Sequence, residues 1–200
     1  MTYVLQGEAC EFGKCFAHGD DVLYLKSGCF DAESDNDVRL LINHGGKSLA
    51  TTADRLQIHA GADALIFRFV IPDSFSKQFA ELADDFETYT SASVGFKFDK
   101  FETLTIDGMG VKVITSATLR EISLLDKEPA IKTTYARFVS DESCCSLEED
   151  YERIRLVGRV VALQRAQKAS ENGGKVEWMH VTSAMDRAAN RFTRALNALV

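Results

Sequence analysis

Peptide or ester hydrolysis by a serine needs a base to take the hydroxyl proton and an acid to orient that base. Three segments of this chain offer those side-chain types. His44 stands in LLINHGG (40–46), at the end of an apolar run and before two glycines. Glycines there leave room for a second backbone to approach. Ser93 stands in TSASVGF (90–96). On a strand, Ser91, Ser93 and Gly95 share one face, and Ala92, Val94, Phe96 and Phe98 share the other, buried one. Ser91 is therefore a rival nucleophile. Glu121 stands in LREISLL (119–125), where strand alternation puts Leu119, Glu121, Ser123 and Leu125 on one face. A carboxylate among leucines is partly desolvated and seeks a partner, for which a histidine N–H is suited. Each segment also has a plainer reading: a loop histidine beside a turn, the polar face of a half-buried strand, and a cross-strand ion pair. The chain order His, Ser, Glu is no obstacle, because triads are defined by geometry. The serine does not lie in a G-x-S-x-G elbow.

The elements that must position these groups read mainly as strands up to residue 125. Runs rich in Val, Ile, Phe and Thr occur at Tyr3–Cys10, Val38–Ile42, Arg55–Ala60, Ala64–Val70, Ser91–Phe98 and Val111–Leu125. DGMG (107–110) predicts a hairpin turn. One helix interrupts after Pro72, capped by Asp73 or Ser74, with Phe75, Phe79, Leu82, Ala83 and Phe86 on a single stripe. Val94, Phe96, Phe67, Phe69, Phe79 and Phe86 are the expected core. Residues 140–146 (SDESCCS) read as a linker. Beyond it, Leu147 to about Ala169 is helical, with Tyr151, Ile154, Val157 and Val161 as its apolar positions. After a break at ENGG (171–174), Trp178, Val181, Met185, Ala188, Phe192, Ala195 and Leu199 follow heptad steps, a seam that needs a partner. The expected fold class is mainly β with helices (β+α). It comprises a β-barrel domain over 1–140, a linker over 141–146 and a C-terminal helical segment over 147–200.

The 200 residues suffice for a full core, and 46% hydrophobic with 26% charged residues is ordinary for a globular chain. The net charge is −7, and a nucleic-acid reader would show a basic face instead. Residues 141–200 carry nine acids and nine bases, so the whole excess lies in 1–140. No apolar run reaches the length of a membrane span, and MTYVLQGEAC has neither the basic nor the apolar region of a signal peptide. The five cysteines are odd in number, with no C-x-x-C, so reduced thiols are expected. His18, His44, His59 and His180 form no H-E-x-x-H or H-x-H pattern, so no metal site is expected.

Four segments, spanning roughly residues 3–135, together resemble the prohead (procapsid) maturation proteases of tailed bacteriophages. That family is related in fold to herpesvirus assemblins. The segments are GEACEFG (7–13) with KSGCF (26–30); LINHGG (41–46) with LATT (49–52), continuing into LIFRFVIPD (65–73); SVGF (93–96); and LREISLL (119–125) with EPAI (128–131). The chain departs from the family pattern at Gly45, where Asp is frequent, and at Ala64, where Gly is frequent.

The resemblance implies a herpesvirus-protease-like barrel and a serine endopeptidase with His44, Ser93 and Glu121 as catalytic groups and no cofactor. It implies that the major capsid protein and a scaffold segment are the protein substrates, cleaved inside an assembling procapsid in the host-cell cytoplasm. Self-association through the C-terminal helices is expected, and neither nucleic acid nor membrane is an expected partner. An oxyanion hole is required; backbone N–H groups near Gly95, or Arg120, are the candidates. Two other classes remain: a catalytically inactive, protease-like capsid scaffold, and a small β-barrel binding module without chemistry.

Overall fold

The computed structural model describes residues 3–30, 37–71, 90–106, 109–127, 129–131, 134–140 and 146–171. The expected helix after Pro72, the C-terminal seam from Trp178 onward, and the core candidates Phe79 and Phe86 lie outside these residues.

Ten strands and one helix are described. In chain order they are β1 (Tyr3–Glu11), β2 (Cys15–His18), β3 (Asp21–Leu25), β4 (Arg39–Ile42), β5 (Gly45–Thr51), β6 (Leu56–Ala60), β7 (Ala64–Ile71), β8 (Ser91–Ile106), β9 (Met109–Leu125), β10 (Tyr135–Ser140) and α1 (Tyr151–Glu171). The protein is mainly β with a helix. The expected barrel is corrected: the described strands form two sheets, neither closed on itself. One sheet runs β10-β1-β7-β6. In the other, β9 pairs along its whole length with β8, and across its opposite edge first with β3 and then with β4. The strands β2 and β5 lie beyond β3 and β4. Closure requires a continuous hydrogen-bonded circuit, whereas alternation in sequence reports only that a face is buried.

The main core lies between the sheets, with Leu5, Leu25, Leu40, Phe67, Ile114 and Ile122 among its buried members. Phe67 and Phe69 are buried as expected. Val94 and Phe96 are only half-buried, because they line an open cleft. The strand β7 is buried on both faces, which its unbroken run ALIFRFVI encodes. Phe67 faces the main core, while Ile66 joins Tyr135, Leu147 and Ile154 beneath α1.

The helix is introduced by a capping box. Ser146 Oγ accepts from the Glu149 N–H at 3.2 Å, and Glu149 Oε2 accepts from the Ser146 N–H at 2.7 Å. The expected apolar positions Tyr151, Ile154, Val157 and Val161 all lie on its packed side. Arg155 and Arg165 also cross from α1 to the strands. Arg155 meets Glu8 at 2.7 Å, Glu11 at 3.3 Å and Asp63 at 2.9 Å. Arg165 donates to Thr134 O at 2.8 Å and to Ser91 Oγ at 3.0 Å. These two arginines join the segment after residue 146 to the strands.

Asp63 gives this packing a pH dependence. Burial alone would raise its carboxyl, but hydrogen bonds from Tyr151 and Arg155 outweigh burial and hold it below the ordinary value. A carboxyl lowered by folding contributes stability that is present above its unfolded value, about 3.9, and lost as pH falls through the folded one. Acidification below about pH 4 is therefore expected to loosen α1. Amide exchange in α1, corrected for intrinsic rate, should accelerate there, and an Asp63→Asn variant should lose that dependence.

Candidate functional site

The three expected groups come from adjacent parts of the second sheet. In the β8–β9 ladder, Ser93 lies opposite Ser123 and Gly95 opposite Glu121. The register then shifts, and Phe96 lies opposite Leu119, so Arg120 is an extra residue in β9. Such a bulge re-aims the side chains beside it. Leu119 and Glu121 were expected on one face; instead Leu119 joins the core with Ile122 and Leu124, while Glu121 stands on the other side. Alternation could not show this, because a bulge breaks the period of two.

His44 reaches the same face from the other neighbour of β9. The strand β4 runs parallel to β9, with Arg39 opposite Glu121 and Ile42 opposite Leu124. Ile42 also pairs with Gly45 in β5, so Asn43 and His44 alone make the turn. Both have positive φ, 48° and 58°, the conformation of a tight two-residue hairpin. A histidine held there is uncommon, and such backbone strain clusters at functional sites.

The turn brings His44 Nδ1 to 2.7 Å from Glu121 Oε1. Ser123 Oγ donates to the same oxygen at 3.3 Å. An ionised carboxylate only accepts, so it holds the proton on Nδ1 and leaves the Nε2 lone pair available. Glu121 is 13% exposed, whereas His44 is 41% exposed and open to a substrate. Gly95 makes room for this carboxylate. A Cβ there would lie 2.5 Å from Glu121 Cγ and 2.8 Å from Oε1.

Ser93 and His44 line one open cleft of about 490 Å³. Its walls include Ala92, Val94, Phe96, Pro129 and Ile131, with His18 and Lys127 as further polar groups. No hydrogen bond joins Ser93 to His44 among the described residues; such bonds are often long before substrate binds. Ser91, the rival nucleophile, is 4% exposed and its Oγ is held by Arg165. The two serines share a strand face by alternation, yet α1 covers only one of them. Ser123, which donates to the candidate carboxylate, is the site neighbour that reading the sequence did not single out. Its signal was its place two residues after Glu121.

Two of the thiols are poorly placed for chemistry. Cys10 and Cys29 are buried, and burial raises both thiols, Cys29 to about 12. Among the described residues, no cluster of His, Cys, Asp and Glu could hold a metal, and no helix is long and apolar enough to cross a membrane.

No protein-family model matches this chain, and no curated protein matches it. Among solved structures it is similar to the crystal structure of KSHV protease in complex with hexapeptide phosphonate inhibitor. That likeness has a TM-score of 0.35 and 11% identity, covering 94% of this chain and 95% of that chain.

Proposed function

We propose that this chain is a serine endopeptidase in which Ser93 is the nucleophile, His44 the general base and Glu121 the acid that orients it. The observation that carries this reading is the 2.7 Å His44 Nδ1–Glu121 Oε1 bond at the edge of a cleft that Ser93 also lines. Ser93 Oγ attacks the scissile carbonyl carbon while its proton passes to His44 Nε2. The imidazolium, stabilised by Glu121, gives that proton to the amide nitrogen as the C–N bond breaks. Water then repeats the sequence on the acyl-serine and releases the acid. No cofactor enters these steps.

The four-segment resemblance supports the finer reading. The substrates are the major capsid protein and a scaffold segment, cut during procapsid maturation of a tailed phage. Self-association through residues 147–200 belongs to the same proposal, and α1 exposes Leu156, Val160 and Leu163.

Incubation with a diverse peptide mixture, read by mass spectrometry, tests the class. New termini should appear with the wild-type chain and not with Ser93→Ala. Equal profiles from both proteins would favour an inactive scaffold. Gly95→Ala should also lose most of the cleavage while remaining folded, because its methyl group would displace the Glu121 side chain. Unimpaired cleavage by that variant would remove Glu121 from the mechanism.

A further inference from the structure

The proposed chemistry needs the His44 ring held at one angle, and the residue before it is tied down in three places. The Asn43 N–H donates to Leu124 O at 2.9 Å. Asn43 Nδ2 donates to Asp126 Oδ2 at 3.0 Å, and the Asp126 N–H donates to Asn43 Oδ1 at 3.3 Å. All three bonds join the β4–β5 turn to the C-terminal end of β9. The same strand carries Glu121, so the turn and the carboxylate are referenced to one piece of backbone. Asparagine is also among the residues that best tolerate the positive φ of 48° found here.

We infer that Asn43 and Asp126 form a clamp that positions His44 against Glu121. The inference rests on reading His44 as base and Glu121 as its orienting acid. The clamp residues touch no reacting atom and act through the imidazole. Released from the clamp, the turn would sample orientations in which Nδ1–H no longer meets Glu121 Oε1. The ring would then spend more time as the Nε2–H tautomer, which cannot accept the serine proton. The loss should fall on the chemical step and not on substrate binding.

Asn43→Gly removes both side-chain bonds while suiting the positive φ. Asn43→Asp opposes two carboxylates, and the double variant Asn43→Asp/Asp126→Asn restores a donor–acceptor pair with the roles exchanged. The readouts are the His44 tautomer by nitrogen-15 NMR, and kcat and KM for a cleaved peptide. Each single variant should raise the Nε2–H fraction several-fold and lower kcat roughly tenfold with KM little changed, and the exchange variant should recover both. An unchanged tautomer in folded Asn43→Gly would overturn the clamp, as would failure of the exchange to restore the tautomer. Because the tautomer is read without turnover, absence of peptidase activity in the wild type would sink the functional reading and still leave the clamp decided.

Discussion

Ser93→Ala is expected to lower kcat for peptide cleavage by about 10⁴-fold or more, with the fold intact and KM nearly unchanged. The alanine removes the atom that forms the acyl intermediate and disturbs little else, because Ser93 has no hydrogen bond to His44 to lose. His44→Ala should cost a comparable factor. The double variant should be no worse than either single one, since nucleophile and base act as a unit. Glu121→Gln is the more instructive change. Its amide can turn an N–H toward Nδ1, favouring the tautomer that has no lone pair at Nε2, and kcat should fall by about 10²–10⁴-fold. Ser91→Ala should leave cleavage within a small factor of wild type, because its hydroxyl is covered by Arg165. Activity lost in Ser91→Ala and kept in Ser93→Ala would move the nucleophile by two residues.

Arg155→Ala is expected to be strongly destabilising. Arg155 is 2% exposed and lies against Glu8, which is 0% exposed, and Glu11, which is 7% exposed. Burial would lower its basicity, but the attraction of Glu8 and Asp63 outweighs burial and raises it further. Truncating the arginine takes away the cation that meets the fully buried Glu8 at 2.7 Å, and breaking such a buried pair costs about 3–5 kcal/mol. Urea denaturation should show that loss. Glu8→Gln added to Arg155→Met should recover most of it, because Glu8 is the fully buried partner, whereas Glu11 keeps Lys14 at 3.1 Å and the Asp63 side chain is half exposed. The prediction also bears on the segment after residue 140. Truncation at residue 146 would remove Arg155 together with the apolar cover of Ile66 and Tyr135, so the shortened chain should lose stability even if its chemistry survives. A soluble, fully active 1–146 fragment with unchanged stability would instead mark the helical segment as a separable tail.

What the sequence revealed follows from the range over which its signals act. The apolar run of β7 and the alternation around Ser93 are local, and both were legible. Two-residue periodicity placed Ser93 on a face with a glycine, and the structure gives that glycine its use, clearing space for Glu121. The strands β2, β3, β5 and β10 went unread: β2 and β3 are short, β5 carries glycine, lysine and serine where strong strand formers would stand, and β10 was passed over although YARFVS carries Tyr, Phe and Val. Their pairing is set by the sheet. The bulge at Arg120 was invisible because nothing in LREISLL marks where the period slips. His44 read as a loop residue beside a turn, whereas the structure puts it inside that turn. Its central residues are Asn43 and His44, since pairing of Ile42 with Gly45 leaves those two outside the ladder. The separation of Ser91 from Ser93 required a helix more than 70 residues away, which no local pattern reports.

The central claim is that Ser93 is a nucleophile activated by His44, and it is tested most directly by covalent labelling. A fluorophosphonate reacts with an activated serine hydroxyl and leaves a stable adduct whose mass and position can be read on the intact chain and its peptides. The account predicts one adduct per chain, mapped to Ser93. It should be absent in His44→Ala and strongly slowed in Glu121→Gln, with Ser91→Ala labelled like wild type. Labelling at Ser93 that does not depend on His44, or an adduct on another serine in its place, would contradict it.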